Sequence, residues 1–290
     1  MQDPRNEPRG PDRRRFLSRA ATAGAWIAGH ALLGGSLSPF AGEPGAESDS
    51  MTDAPRIRSL ELLTATPLAT MKGFYQGTLG LPVVAERAGR LTIGCGATEL
   101  TFVAAPPDAG SPFYHFAFNI PENKILAARA WQKERTELIP PPERLRDPEL
   151  PDDIVDFRHW NAHSVFFFDP AENVVEYIAR HDLENGAPGG FAAADILYAS
   201  EIAFVVDDVL ATADELKRVV GVSQYRGGDE QFTAVGDEHG LLLVFRRGRV
   251  LSLASARSKV AGVHATVAHV RGPEPKSFGL GGFPYSITID

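Results

Sequence analysis

The hydrophobic positions of this chain follow one recurring pattern, in which an apolar strand is followed by a helix and then by several short strands. In the first copy, residues 57–64 read as a strand, and Thr66-Pro67 mark a helix start because proline suits the first helical position. Apolar residues then recur at helical spacing, at Leu68, Met71, Phe74, Tyr75 and Leu79. Three strand-like runs follow, near 83–86, 90–93 and 99–103. The pattern predicts a βαβββ unit.

The same order returns twice along the chain. The second copy is predicted to have a strand at 114–119, a helix over about 121–135, a proline-rich acidic loop at 139–157, and strands at 164–168 and 174–179. The third has a strand at 199–206, a helix capped by Asp207 or Asp208, and strands at 231–235 and 241–246. Only isolated strands, at 264–270 and 285–289, follow residue 250, so a fourth copy is degraded or absent. This repetition predicts an α+β fold of tandem units.

The first 50 residues are typical of a targeting segment followed by a linker. Arg13-Arg14-Arg15-Phe16-Leu17 precedes a moderately apolar stretch that is too short and too rich in glycine and alanine for a stable membrane span. Paired arginines before Phe-Leu resemble a twin-arginine signal, which predicts a periplasmic or otherwise exported protein. The alternatives are a disordered basic head, or translation that begins at Met51, in which case the protein would be cytoplasmic.

Composition narrows the classes of partner and chemistry. The formal net charge is −8, and six arginines are concentrated in the first 19 residues, so the remainder is more acidic still. A surface of this charge repels phosphate backbones, which argues against nucleic acid as a partner. The single cysteine, Cys95, excludes a disulfide within the chain and a cysteine-based zinc cluster. Its apolar surroundings favour a buried, inert thiol.

One histidine and one glutamate are the main candidates for chemistry. His115 lies in the aromatic run 113–118, and Glu176 lies among the apolar residues of 174–178. Each run is typical of a buried strand. A buried carboxylate without a partner costs several kcal/mol, so Glu176 should be paired or should bind a metal. Strands that form a cup can direct both side chains at one point, and this donor pair suits a divalent metal.

Two segments carry a resemblance to a known family. Gly73-Phe74-Tyr75-Gln76-Gly77-Thr78-Leu79-Gly80-Leu81 closes the first helix, and residues 168–176 are similar to the signature Asp-Pro-x-Gly-Asn-x-x-Glu, with Glu172 where glycine is usual. Over residues 57–248 the chain resembles the vicinal oxygen chelate superfamily of glyoxalases, extradiol dioxygenases and bleomycin-binding proteins. The resemblance implies a half-open barrel made by units one and two (55–185), with unit three in an incomplete second barrel (195–290).

The resemblance also implies roles for particular residues. His115 and Glu176 match metal positions. The third position falls at Leu60, which cannot bind a metal, so Glu61 is the expected third ligand if the strand register shifts by one, and Glu99 is another oxygen donor. His163 and Tyr177 match the active-site histidine and tyrosine of extradiol dioxygenases, although His163 could equally cap a strand end. Glu201 and His239 in unit three are interpreted as structural.

These residues support several functions. The first is a metal-dependent enzyme, dioxygenase-like or lyase-like, that acts on a small oxygenated molecule. Fe2+ is the first choice, with Mn2+, Ni2+ or Zn2+ as alternatives. The second is a metal-free protein of the same fold that sequesters a small aromatic ligand. The third is a purely structural, degenerate relative. In each case we expect no stable membrane span after processing, and a homodimer is a further expectation.

Overall fold

The computed structural model describes residues 56–251, 256–268 and 276–290. The predicted signal and linker (1–50) lie outside the described residues, so the predicted export stays a prediction. None of the helices in the described ranges combines the length and apolar character needed to cross a membrane.

The first βαβββ unit is present as the sequence predicts. It consists of β1 (Arg56–Thr64), α1 (Leu68–Lys72), β2 (Val83–Arg87), β3 (Arg90–Cys95) and β4 (Thr98–Ala104). A π-helical segment, Gly73–Thr78, continues α1 and places Phe74 and Tyr75 in the core. Cys95 is fully buried at the end of β3, and burial raises the pKa of its thiol, in agreement with an inert role.

The second and third units follow the same order. Unit two has β5 (His115–Ile120), α2 (Ile125–Lys133), β6 (Val155–Phe157), β7 (Ala162–Phe168) and β8 (Val174–Arg180). Unit three has β9 (Tyr198–Val206), α3 (Val209–Val220), β10 (Gln224–Gly228), β11 (Phe232–Asp237) and β12 (Gly240–Arg246). Asp208 caps α3, because its carboxylate accepts the backbone N–H of Ala211. The sequence had indicated neither β6 nor β10.

The C-terminal part retains the strands of a fourth unit. A short hairpin of β13 (Val250–Leu251) and β14 (Ala256–Arg257) precedes β15 (Val263–Ala268), β16 (Lys276–Gly279) and β17 (Tyr285–Ile289). No α-helix is assigned to this part within the described residues, which fits a degraded copy.

The strands form two large sheets, and the units pair differently from what the resemblance implied. Units two and three share an eight-stranded sheet, β10-β11-β12-β9-β5-β8-β7-β6, which curls into a half-barrel. Unit one shares a seven-stranded sheet, β16-β17-β15-β1-β4-β3-β2, with the C-terminal strands. Both sheets therefore contain strands from either side of the boundary expected near residues 185–195. Every unit presents an equivalent edge on its first strand, so the repeat alone does not specify which edges meet.

The two faces of the half-barrel have different neighbours, because side chains alternate along a strand. One face joins the main core, which also contains the helices and the inner face of the seven-stranded sheet. Phe118, Phe167 and Tyr177 belong to this core face. The other face, here called the cup face, carries His115, Ala117 and Glu176.

A hydrogen-bonded turn between β7 and β8 explains the Asp-Pro-Ala-Glu-Asn segment. Asp169 is buried, and its two carboxylate oxygens accept bonds from the Tyr75 hydroxyl (2.8 Å), the Asn173 side chain (2.9 Å), and the backbone N–H groups of Ala171 and Asn173. Asn173 Oδ1 in turn accepts the backbone N–H of Tyr114, next to β5. The turn thus aligns the beginning of β8 with the beginning of β5, which carry the candidate ligands.

Glu172 occupies a left-handed backbone conformation in this turn, with φ 63°. A residue with a side chain is destabilised by about 1–2 kcal/mol in this conformation. Glycine avoids that strain, and the extra conformational entropy that it loses on folding costs only about 0.5–1 kcal/mol. We therefore predict that Glu172→Gly raises the free energy of unfolding by about 0.5–1 kcal/mol in urea denaturation. Glu134→Gly is the matched control. The backbone of Glu134 is in the right-handed helical conformation (φ −69°), so this variant should be less stable than the parent. A loss of stability in both variants would contradict the prediction.

Candidate metal centre

Three neighbouring strands of the half-barrel bring one imidazole and two carboxylates together on the cup face. His115 begins β5, Glu176 lies on β8, and Glu201 lies on β9. Ala117 of β5 lies directly opposite both Glu176 and Glu201, so the two glutamates flank the central strand on the same face. The small side chain of Ala117 leaves the space between them to His115.

The donor atoms are close and are shielded from water. His115 Nε2 lies 3.4 Å from Glu176 Oε2 and 3.9 Å from Glu201 Oε2. The imidazole is 12% exposed and each glutamate side chain is 2% exposed. Ligands at about 2.0–2.2 Å from a metal are themselves about 3–3.5 Å apart, so the spacing is close to that of a coordination site.

The orientation of His115 is fixed by its other ring nitrogen. Nδ1 lies 3.1 Å from the carbonyl oxygen of Val174, which can only accept, so Nδ1 carries the proton. Burial lowers the pKa of His115 to about 4, and the ring is therefore neutral at physiological pH. Neutral imidazole with a protonated Nδ1 directs the lone pair of Nε2 at the two glutamates, as a metal ligand requires.

The two carboxylates are buried with one cation nearby. Arg180 donates from Nη2 to Glu201 and from Nε to Asn119 Oδ1, 3.1 Å away. Burial, followed by the charge of Glu201, raises the pKa of Glu176 well above its ordinary value, and burial raises that of Glu201. Glu176 Oε1 has no hydrogen-bond partner among the described residues. One guanidinium thus faces two acidic groups, and its ion pair is with Glu201 and not with Glu176.

These features fit a divalent cation. The three donors comprise one nitrogen and two oxygens that lie within 4.8 Å of one another, and a cation among them would neutralise the buried charge of Glu176, which has no ion pair with Arg180. A set of one imidazole and two carboxylates admits Fe2+, Mn2+, Ni2+ or Zn2+. Within the described residues the cluster offers three protein ligands, which leaves positions for water or substrate.

A small cleft leads to His115 from the surface. Its walls are mainly apolar and aromatic, and the rings of Phe166 and Phe245 lie 6.1 and 6.4 Å from the imidazole. Lys259 is a charged residue in the lining. At the other end of the cup face, Trp160 packs against Tyr225 and Phe232, so this tryptophan closes the cup, whereas the side chain of His159 is exposed.

Glu61 does not reach this cluster. It lies on β1 in the seven-stranded sheet, where its carboxylate accepts two hydrogen bonds from Arg90 and its side chain is 35% exposed. Glu99, the other expected oxygen donor, is exposed on β4 of the same sheet. The expectation for Glu61 is wrong because unit one pairs with the C-terminal strands and not with unit two.

His163 and Tyr177 lie on the side of the half-barrel away from His115. Tyr177 directly follows Glu176, so strand alternation turns its ring into the main core, among Phe118, Phe167 and Trp131. The ring of His163 meets the ring of His181 edge-to-face, near Glu122. Neither residue contacts the candidate metal centre, so the catalytic roles that the resemblance implied for them are not supported by their positions.

Glu201 is the ligand candidate that the sequence interpretation missed. The structural interpretation rests on the lack of a histidine on a partner strand of unit three, where His239 falls in a turn, yet Glu201 completes the cluster built from unit two. One signal could have identified Glu201. It lies on the first strand of unit three, as His115 lies on the first strand of unit two, and all nine residues of its strand are buried. His239, by contrast, contacts the Tyr198 hydroxyl (2.9 Å) outside the cluster, as the structural interpretation expects.

The comparisons with known proteins bear on the fold. No protein-family model matches the chain, and no curated protein does. Among solved structures, the chain is similar to a candidate dioxygenase from Bacillus subtilis subsp. subtilis str. 168 (14% identity, TM-score 0.51, covering 82% of this chain and 85% of that one). It is also similar to glyoxalase I from Zea mays (12%, 0.46, covering 82% and 92%) and to a glyoxalase/bleomycin resistance protein/dioxygenase from Nocardioides (20%, 0.32, covering 49% and 93%). The α+β vicinal oxygen chelate fold expected from the sequence is confirmed.

The pairing of Arg180 with Glu201 makes a prediction about stability. Arg180→Met leaves a buried carboxylate uncompensated, so we expect the free energy of unfolding to fall by about 3–5 kcal/mol. Adding Glu201→Gln removes that charge, and the double variant should recover about 1–2 kcal/mol relative to Arg180→Met. Urea denaturation of the four proteins in a double-mutant cycle measures this coupling.

The control cycle uses a pair near the surface. Arg226 pairs with Asp182, and their side chains are 36% and 39% exposed. Because solvent screens such pairs, Arg226→Met and Asp182→Asn should show coupling below about 1 kcal/mol. If the changes in the free energy of unfolding for Arg180→Met and Glu201→Gln simply add in the double variant, the buried ion pair does not stabilise the protein as predicted.

Proposed function

We propose that this protein is a metal-dependent enzyme of the vicinal oxygen chelate type, which acts on a small organic molecule carrying two neighbouring oxygen atoms. The observation that carries the proposal is the convergence of His115 Nε2, Glu176 Oε2 and Glu201 Oε2 beside a cleft that His115 lines. His115, Glu176 and Glu201 would hold the metal. When bound, a divalent metal supplies a Lewis acid that stabilises negative charge on substrate oxygens.

The remaining residues of the site would bind and orient the substrate. The rings of Phe113, Phe166 and Phe245 surround His115 and suit a planar apolar group, which they would pack against and shield from water. Lys259 in the lining favours a substrate with an anionic oxygen. The site therefore favours a small aromatic or enolic molecule.

Glu176 has the properties of a proton acceptor. Its Oε1 has no hydrogen-bond partner in the described part of the chain, and burial, followed by the charge of Glu201, raises the pKa of its carboxyl group well above the ordinary value. A lyase-like reaction needs such a group next to the substrate carbon, whereas a ring-cleaving reaction needs dioxygen in the same cleft. Both reaction classes suit this donor set.

A metal-free binding protein is the second candidate, and a specific contact favours it. Arg180 already pairs with Glu201, so part of the buried negative charge is compensated without a metal. The aromatic lining would then serve to sequester a small apolar ligand. The two candidates differ in whether the cluster binds a metal.

Metal content separates them. We predict that His115→Ala and Glu201→Gln each bind about one divalent ion fewer per chain than the parent protein after loading with Mn2+ or Zn2+, because three ligands hold that ion. Glu61→Gln is the matched control and should bind as much as the parent, because Glu61 pairs with Arg90 away from the cluster. Mass spectrometry of the metals in gel-filtered, untagged protein gives the count. Equal content in all four proteins would overturn the metal-dependent function.

The reaction class follows from activity assays on the same loaded proteins. Dioxygen uptake with catechol that is lost in His115→Ala favours ring cleavage. Isomerisation of the adduct of glutathione and methylglyoxal without dioxygen, lost in Glu176→Gln, favours a lyase. If none of the Fe2+, Mn2+, Ni2+ or Zn2+ forms acts on a substrate panel and catechol still binds to the metal-free protein, the binding function is supported instead.

We also propose that the mature protein acts outside the cytoplasm, on the basis of the paired arginines before Phe16-Leu17. In a bacterial host with a twin-arginine translocase, the full chain should appear in the periplasmic fraction in a shortened form. Arg13→Lys/Arg14→Lys should keep it in the cytoplasm, although the charge is unchanged. Lys substitution of Arg5 and Arg9 is the control and should leave export intact. Cytoplasmic accumulation of the parent would contradict the proposal.

A further inference from the structure

A second group of metal-ligating side chains lies on the half-barrel, outside the cluster around His115. It comprises Asp147 from the loop between α2 and β6, Asp156 on β6 and His163 on β7. One ligand atom of each lies within 4.8 Å of the others. His163 points away from the cup face, so the group is separate from the candidate metal centre.

Each carboxylate of this group has one oxygen engaged and one directed inwards. Asp147 Oδ1 accepts the backbone N–H of Glu149 (2.8 Å), and Asp156 Oδ2 accepts Arg158 Nε (2.6 Å). The other two oxygens, Asp147 Oδ2 and Asp156 Oδ1, lie 3.5 and 3.9 Å from His163 Nε2. Turn and ion-pair contacts thus orient both aspartates towards one ring nitrogen.

The other ring nitrogen of His163 is hydrogen-bonded. His163 Nδ1 lies 2.8 Å from His181 Nε2, and His181 Nδ1 lies 3.5 Å from Glu122 Oε2. A metal ion binds the lone pair of a histidine nitrogen, so it would select the tautomer in which His163 Nδ1 carries the proton and donates it to His181 Nε2. In that tautomer a neutral His163 presents its Nε2 lone pair to the two aspartates.

A lone pair that faces two carboxylates is repulsive unless a positive charge lies between them. His163 Nε2 is buried and makes no hydrogen bond to any described residue, and its distances to the aspartates are long for a hydrogen bond. A cation at the common point would satisfy all three atoms. The Glu122–His181 pair behind His163 resembles the hydrogen-bonded partners that orient metal-bound histidines.

We propose that Asp147, Asp156 and His163 form a second site for a divalent metal ion such as Zn2+ or Mn2+. One imidazole and two carboxylates suit these ions, and the partial exposure of Asp147 (24%) gives the ion a path from solvent. Water would complete the coordination.

The position of this site indicates that a bound ion would hold the loop between α2 and β6 against the sheet. Asp147 lies within the loop, whereas His163 belongs to the sheet. The loop and β6 also supply Ile139, Leu145 and Phe157, which pack against Phe166 beside His115. A bound ion would therefore hold one wall of the cup in place without contacting the candidate metal centre.

Metal stoichiometry tests the second site independently of the first. Untagged full chain, loaded with Zn2+ and freed of excess ion by gel filtration, should contain about two Zn2+ per chain. Asp147→Asn and His163→Gln should each contain about one, and His115→Ala/Asp147→Asn about none. Asp152→Asn is the matched control from the same loop, 87% exposed, and should keep both ions.

The outcomes distinguish the two proposals. If the parent holds one ion that His115→Ala loses and Asp147→Asn keeps, the second site does not exist. If the parent holds one ion that Asp147→Asn loses and His115→Ala keeps, the second site stands and the metal-dependent function fails.

Limited proteolysis gives a readout that does not depend on the count of ions. Arg144 and Arg146 lie in the loop, next to Asp147. Zn2+ should slow tryptic cleavage at these arginines by about tenfold or more in the parent protein and in His115→Ala, because binding stabilises the closed loop. Asp147→Asn should show no such protection. Equal rates with and without Zn2+ in the parent would overturn the inference.

Discussion

Glu176 and Glu201 are buried side by side, on the two strands that flank β5, and the compensation of their charge organises the centre of the half-barrel. Carboxylates removed from water require a cation, a proton or hydrogen bonds. Arg180 forms an ion pair with Glu201, whereas the lone pair of the neutral His115 faces both glutamates and compensates neither of them. The same pair of residues, Arg180 and Glu201, also joins unit two to unit three, since β8 belongs to one and β9 to the other. The ion pair between Arg180 and Glu201 therefore both connects the two units of the half-barrel and orients a member of the candidate metal centre.

Polar contacts beyond this centre keep the ligand strands in register. The Asp169 turn connects β7, β8 and the residue before β5, and Asn119 of β5 donates to the Tyr198 hydroxyl of β9. These groups are buried, so their hydrogen bonds are costly to lose and specify one arrangement of the strands. The donor atoms of His115, Glu176 and Glu201 are thereby held by the sheet backbone instead of by mobile loops. Such rigidity is what a metal centre or a selective binding cup requires.

The repeated units could be predicted from the sequence because local patterns of apolar residues determine their strands and helices. The period of the apolar residues gave the three βαβββ units and the incomplete fourth copy, and the Asp169–Glu176 segment located one ligand strand. His115 and Glu176 were identified because an imidazole and a carboxylate within apolar strands need partners, and the structure places them 3.4 Å apart. Strand alternation could also have shown that Tyr177, directly after Glu176, must face the opposite side.

The sequence by itself determined the three helices, most strands of the repeated units and the apolar positions that are buried, and it showed that His115 and Glu176 need a polar partner. Tertiary structure alone decided which units pair, and so which residue is the third member of the cluster. All four units carry an equivalent free edge on their first strand, and hydrophobic periodicity is the same whichever edges meet. The choice depends on long-range contacts, such as Arg180 with Glu201 and Asn119 with Tyr198, between residues 21 and 79 positions apart. That choice placed Glu201 beside His115 and left Glu61 with Arg90.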